Sequence, residues 1–307
     1  MPFKTVSQPR RVASVEGSIQ GASFHKKLGT VAMVSTNPVQ VATVAYTGSP
    51  AKHFNVQLDE ARDIALLSRD MAVVRTDTDV WQLLDIQHKA RIDPLTRDTR
   101  MVVGPQGDAA LALKWDNACE QLTPGKNEVA SRTFQLRGDH RAVDIGENEC
   151  YAIVEAGEGE FRIHPGGTPE QGSVTKTALP AGCKELDRLR GGRFLSALYQ
   201  RNNSAVCLIR RAGNRLDTKM FYLDVPMTDL AVCETSLLVV TKDGRVVLYD
   251  SEAIEHGDGR MEPRSETPLG CRGEPTACVV AHSNLFVGTS GGDIVMGNII
   301  RKQGISA

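Results

Sequence analysis

LLVVTKDGRVVLYD (237–250) decides how the chain is read. Leu237–Thr241 and Arg245–Tyr249 are rich in β-branched and aliphatic residues, and Asp243-Gly244 between them supplies the positive φ of a tight hairpin turn. Both strands are apolar at almost every position, as expected of strands covered on two faces. The stretch is either one hairpin at an edge or one copy of a repeated unit.

The unit recurs. Strand, polar turn and strand follow one another in VAMVSTNPVQVATVAY (31–46), MAVVRTDTDVWQLLD (71–85), LALKWDNACEQL (111–122), CYAIVEAGEGEFRI (150–163), FLSALYQRNNSAVCLI (194–209) and NLFVGTSGGDIVMGNI (284–299). The turn centres fall at 37, 77, 117, 158, 203, 243 and 291, so the gaps are 40, 40, 41, 45, 40 and 48 residues. That period, roughly 40–45 residues, is the period of four-stranded propeller blades; the hairpins of an irregular sandwich need not keep such time. An extended stretch fit for an innermost strand precedes the units, as in ARDIALLS (61–68), HRAVDIG (140–146) and PTACVVAH (275–282). An outer strand follows them, as in NEVASRTFQL (127–136) and TKMFYLDV (218–225).

The expected fold is therefore all-β, a seven-bladed β-propeller of four-stranded blades. The last unit runs out after Ile300, too early for a fourth strand, while RRVASVEG (10–17) is spare. Pairing that N-terminal strand into the last blade closes the ring and removes an exposed edge. One domain over 10–307 results, with residues 1–9 expected as a mobile tail.

VTKDGRVVLYD resembles the second and third strands of a WD-repeat blade, with Asp243 in the turn and Tyr249-Asp250 where Trp-Asp is usual. RTDTDVWQLLD keeps Trp81 in the corresponding strand, and Gly138-Asp139-His140 is similar to the Gly-His that opens such repeats. The likeness covers the whole chain by periodicity, and most units lack both signatures, as in a degenerate WD-like propeller. The resemblance, rather than the spacing, implies a rigid platform for proteins or peptides, because fold alone assigns no task.

Composition narrows the classes. The 307 residues are 41% hydrophobic and 24% charged with a formal net charge of −1, so the whole molecule does not seek polyanions. Aromatic residues are 5%, which argues against a stacking platform for single-stranded nucleic acid. No apolar run reaches the roughly 18 residues of a membrane span, and the basic N-terminus lacks the apolar core of a secretory signal. Cytoplasm or nucleus is the expected compartment. Seven cysteines without C-x-x-C spacing point to reduced, mostly buried thiols.

Chemical motifs are sparse, and neither catalysis nor a cofactor is expected. Gly288-Thr289-Ser290-Gly291-Gly292 has the spacing of a nucleophile elbow, but a strand rather than a helix follows it, so a hairpin turn is the reading. His25, His53, His88, His140, His164, His256 and His282 form neither H-x-H nor H-E-x-x-H. His140 is expected to tie a loop to its blade. Asp77, Asp79, Asp116, Asp243 and Asp293 lie at turns and either bind calcium along one rim or satisfy local backbone donors, the second being the usual role of turn carboxylates.

Charge is uneven along the chain. The fifth unit (183–224) holds nine Lys or Arg against four acids, and the fourth (137–182) holds eight acids against four bases. The first and third turns of a four-stranded blade emerge on one face. Arg190 and Arg193 at the first turn and Arg211 and Arg215 at the third are thus expected on one face, beside Glu147 and Glu149 of the fourth unit. Such a patch either is a solvated, self-neutralising surface or steers a partner segment of acidic or mixed charge, for which arginine forks suit carboxylates. The leading function is a non-catalytic protein-interaction platform, a scaffold or adaptor subunit. The alternatives are a propeller enzyme or ligand- or metal-binding protein using the axial channel, and a nucleic-acid-associated factor.

Overall fold

The computed structural model describes residues 3–76, 80–87, 90–94, 98–104, 109–125, 129–146, 149–166, 168–169, 174–250 and 261–302. The described residues form strands and turns, with no helix among them. Seven antiparallel sheets follow one another around an axis, six built from strands consecutive in sequence and the seventh joining the last strands to the first two.

The closing blade carries β1 (Phe3–Val6) and β2 (Arg10–Ser14). Blade 1 is β3 (Ser18–His25), β4 (Thr30–Thr36), β5 (Gln40–Ala45) and β6 (Ala51–Asn55). Blade 2 is β7 (Asp63–Leu66), β8 (Met71–Arg75), β9 (Trp81–Asp85) and β10 (Ala90–Pro94). Blade 3 is β11 (Thr99–Val103), β12 (Ala110–Lys114), β13 (Ala118–Pro124) and β14 (Val129–Gln135). Blade 4 is β15 (His140–Ile145), β16 (Glu149–Val154), β17 (Glu160–Pro165) and β18 (Thr175–Ala178). Blade 5 is β19 (Arg188–Arg190), β20 (Leu195–Tyr199), β21 (Ala205–Ala212) and β22 (Arg215–Tyr222). Blade 6 is β23 (Met227–Cys233), β24 (Ser236–Thr241), β25 (Arg245–Asp250) and β26 (Ser265–Pro268). Blade 7 is β27 (Pro275–Ala281), β28 (Asn284–Thr289) and β29 (Asp293–Lys302). The chain is thus a seven-bladed β-propeller.

Six of the seven turn centres read from the sequence separate the second and third strands of their blades, and the seventh, at 77, lies outside the described residues. Asn37, Asn117 and Asn202 adopt positive φ there, and Gly244 does so at +81°, the backbone shape a tight turn needs and Asn or Gly tolerates. Hydroxyls at the ends of second strands reinforce the turns. The Thr76 and Thr241 hydroxyls donate to the carbonyls of Val80 (2.9 Å) and Arg245 (3.1 Å), and the Thr289 hydroxyl accepts from the Asp293 amide (3.0 Å).

The ring closes as the spare strand demands. β2 pairs with β29, with Arg10 opposite Met296 and Ser14 opposite Asp293. β1 pairs with the remainder of β29, Val6 opposite Ile299. Within the stretch 1–9 expected as a tail, Phe3–Val6 forms a strand, because β29 runs ten residues and offers an edge long enough for both. One side of β29 is thereby paired along most of its length.

First strands line the axis, where β23, β27, β3, β7, β11, β15 and β19 pack successively on one another. Five of the seven first-to-second ladders shift register near the start of the inner strand, at Ile19/Gly21, Thr99/Met101, His140/Ala142, Met227/Asp229 and Pro275/Ala277. A bulge at that place turns the strand sharply where seven of them crowd together. Apolar layers between neighbouring blades hold the ring, each drawing buried apolar side chains from both blades.

Close approach of inner strands makes one glycine indispensable. A Cβ on Gly21 would lie 2.6 Å from the Asp63 Cα and 2.9 Å from the Ile64 nitrogen, both backbone atoms of the next blade. Gly21→Ala is therefore expected to lower stability by about 1–3 kcal/mol, measured as a fall in the urea midpoint at unchanged slope. An unchanged midpoint would contradict the close packing of blades 1 and 2.

Candidate functional site

Blade 5 builds the first part of the site. Its first turn, 191–194, is pressed against blade 4: a Cβ on Gly191 would sit 2.1 Å from the Tyr151 ring, and the Gly191 amide donates to Asp144 Oδ2 at 2.6 Å. Under that turn, Tyr151 stacks on Phe161 with ring centres 6.2 Å apart. The Tyr151 hydroxyl donates to Glu149 Oε2 (2.9 Å), while Arg211 Nη1 donates to Glu149 Oε1 (2.6 Å) from the end of β21, next to the third turn of blade 5. Burial, and then the charge of Glu149, raise the Tyr151 hydroxyl far above its ordinary pKa, so it stays a donor.

The first and third turns therefore do share a face. The Arg211 amide donates to the Phe194 carbonyl at 2.9 Å, tying the two turns together. Phe194 is 43% exposed, and the Arg193 guanidinium lies 5.3 Å from its ring centre. Arg215 projects into solvent and pairs with Asp217 at 2.8 Å. Of these, Arg211 and Glu149 meet across the seam of blades 4 and 5, while Arg193 lies over Phe194 and Arg215 pairs with Asp217 within blade 5. Glu147 lies outside the described residues.

Arg190 does not belong to this face. It ends the inner strand β19 and lines the axial channel, because a strand's last residue still projects sideways, whereas only the following turn leaves the sheet. Tyr199 first, then Asp229 and Asp144, raise its guanidinium above the ordinary value against the cost of burial.

The channel is a cavity of about 370 Å³ lined by inner-strand residues from all seven blades. A buried polar cluster behind its lining residue Tyr199 centres on Asp229, which is 0% exposed. Asp229 Oδ1 accepts from the Tyr199 hydroxyl (2.6 Å) and the Leu230 amide (3.0 Å). Asp229 Oδ2 accepts from Arg201 Nη2 (2.9 Å) and the Cys278 amide of blade 7 (3.0 Å). Burial alone would raise this carboxyl, but Arg201, Arg190 and Arg188 with the Tyr199 hydroxyl hold it far below the usual carboxylate range. Arg201 Nη1 also donates to the Gln20 carbonyl (3.3 Å), so one side chain reaches from blade 5 to blade 1. Near the same mouth Arg100 lies 4.8 Å from the ring centre of exposed Trp115 and donates to the His140 carbonyl (3.2 Å).

Several other candidates make local contacts. Ser290 sits in the turn between β28 and β29 and its hydroxyl accepts from the Glu274 amide (2.9 Å). Asp116 accepts from the Ala118 amide (3.1 Å), Asp243 from the Arg245 guanidinium (2.8 Å), and Asp293 from the Arg272 amide (3.0 Å) and guanidinium. Asp77, Asp79, His88 and His256 lie outside the described residues. His140 Nδ1 bonds the Gly138 carbonyl at 2.8 Å, as its loop-tying role requires. His282 packs edge-on between Phe24 and Tyr46. Among the described residues, no three His, Cys, Asp or Glu side chains gather to hold a metal ion. All seven cysteines are free thiols, five of them buried.

Sequence reading passed over Asp229, Tyr151 and Phe194. A signal existed for the first: Asp63-Ile64-Ala65 and Asp229-Leu230-Ala231 place the same acid in two otherwise apolar inner strands. Among the described residues no helix is long and apolar enough to cross a membrane. No protein-family model and no curated protein matches the chain.

Proposed function

We propose that this propeller is a non-catalytic interaction platform, a WD-repeat-like scaffold or adaptor subunit of the cytoplasm or nucleus, that docks a protein partner on the face of blades 4 and 5. The observation that carries the reading is the exposed Phe194 beneath Arg193, beside Arg211 held by Glu149. Aromatic and arginine side chains presented together are the residues interfaces concentrate, because each buries large area at low cost in freedom. The turns that present them are fastened to a packed seam, so little ordering is needed on binding. A partner segment of acidic or mixed charge suits the three arginines.

The test is affinity capture from the native cell, at low and moderate salt, of the wild type and of Arg193→Glu/Arg211→Glu/Arg215→Glu. A discrete set of proteins captured by the wild type and lost from the variant is the expected result. A chain that emerges alone at both salts would overturn the reading. A second reading, a small anion held in the axial channel, is favoured by Arg141, whose buried Nε and Nη2 have no hydrogen-bond partner among the described residues. A co-purified small anion on a partnerless chain would support it.

A further inference from the structure

The layer between blades 3 and 4 differs from the other six. In each of those six, the third strand of the following blade supplies buried apolar side chains. Examples are Val44 of β5, Leu84 of β9, Leu122 of β13, Ile209 of β21, Tyr249 of β25 and Val295 of β29. The layer between blades 3 and 4 contains Leu111, Leu113, Cys119 and Leu136 against Val143, Ile145, Cys150 and Ala152, and nothing from β17. The reason is the alternation of β17. Phe161 and Ile163 pack toward blade 5, so Glu160, Arg162 and His164 face blade 3.

Where the apolar layer stops, a crevice of about 1070 Å³ opens between the outer strand of blade 3 and the third and fourth strands of blade 4. Its charged lining is basic throughout among the described residues: Arg132, Arg137, Arg162 and Lys176. Glu160, set beside the crevice, accepts from Arg162 (2.6 Å) and Lys176 (3.2 Å), so it offsets only part of this charge. The Arg132 guanidinium lies 4.8 Å from the Phe134 ring centre, an aromatic surface within the same crevice. His140 forms part of the wall and is 4% exposed, and its buried Nε2 has no partner among the described residues. The fourth unit carries an excess of acids in sequence, yet three of its four bases, Arg137, Arg162 and Lys176, line this seam.

The geometry points to this crevice as a docking groove for an extended acidic peptide segment of another protein. Three observations select that occupant. The charge of the lining is complementary to carboxylates. Four successive residues of β14, 132–135, line the crevice, so it follows the strand rather than a single side chain. β14 ends its sheet and pairs only with β13 among the described residues, which leaves its outer edge for an added strand. An extended segment pairs with such an edge through its backbone while alternate side chains reach the flanking groups. The proposal concerns a different surface from the face of blades 4 and 5 and does not rest on it.

The test uses a fluorescein-labelled octaglutamate peptide, with octaglutamine as control, titrated against the full chain by anisotropy. Binding of octaglutamate is expected to weaken about tenfold or more in Arg162→Glu/Lys176→Glu, and to be unchanged in Lys242→Glu, an exposed position on blade 6. Arg162→Gln/Lys176→Gln serves as the milder pair and is expected to keep the wild-type urea midpoint while still weakening binding. Hydrogen exchange at the amides of residues 130–135 is expected to slow when the peptide is bound. Equal binding by wild type and both groove variants would overturn the proposal. So would binding that leaves those amides unprotected and is fully displaced by inorganic tripolyphosphate, which would make the crevice a plain anion site.

Discussion

Asp229→Ala is expected to lower the stability of the chain by about 3–5 kcal/mol, because removing one partner of a buried ion pair leaves the other charge uncompensated. Asp229 accepts four hydrogen bonds that join blades 5, 6 and 7. Its loss leaves Arg201, itself largely buried, facing the Tyr199 hydroxyl and no carboxylate at that place. Asp229→Asn keeps the shape and two acceptor sites on one oxygen but removes the charge, so its cost is expected to be smaller and still clear. Urea midpoints of the three chains at neutral pH measure this. Equal midpoints would show that the channel network does not contribute to the ring.

The pH dependence follows from the direction of the shift. The folded carboxyl lies far below the ordinary aspartate value of about 3.9. Its stabilising contribution is therefore complete above that value and is lost as pH falls through the folded value. From pH 7 to about pH 5 the contribution is constant. Below about pH 4 the wild type is expected to lose stability more steeply than Asp229→Asn, which has no group to protonate there. Parallel acid limbs in the two chains would contradict the assignment.

Phe286→Ala is expected to cost about 3–5 kcal/mol. Phe286 is fully buried in the layer where blade 7 meets blade 1, among Ile19, Met33, Val44 and Ile294. Those neighbours belong to strands of both blades, so their collapse into the vacated space is limited by two fixed sheets. Phe194→Ala on the exposed turn is the comparison, expected within about 0.5 kcal/mol. Similar losses at the two phenylalanines would mean that the seam is not packed as described.

The blade count was legible because turn residues are local. Asn37, Asn117, Asn202 and Gly244 sit where positive φ is needed, and that requirement repeats with the blade. Closure by residues 10–14 was legible from strand counting alone. The second closing strand, Phe3–Val6, was not, because it depends on how far β29 extends. Among site residues, Arg193, Arg211, Arg215 and Glu149 could be placed on one face from the alternation of turns. Arg190 could not, since one residue separates the end of a short inner strand from its turn, and that residue decides between channel and face. The basic crevice was hidden for a different reason. Charge summed over the fourth unit is acidic, but the side to which Arg162 and Lys176 point depends on which neighbour Phe161 and Ile163 choose. The inner-strand bulges left a signal that was not read: the residue skipped at each is polar, namely Gln20, Arg100, Arg141, Thr228 and Thr276.

The ring rests on β2 lying in register along β29, and a cross-link tests that pairing most directly. Arg10 and Met296 are opposed across the two strands, where side-chain Cβ atoms lie about 4.5–5.5 Å apart, close enough for a disulfide after small adjustment. Arg10→Cys/Met296→Cys is expected to form a bond between the two introduced thiols within a single molecule under mild oxidation, identified by peptide mapping, and to raise the urea midpoint. No cross-link between those positions, or one found only between two molecules, would contradict a ring closed by its own N-terminal strand.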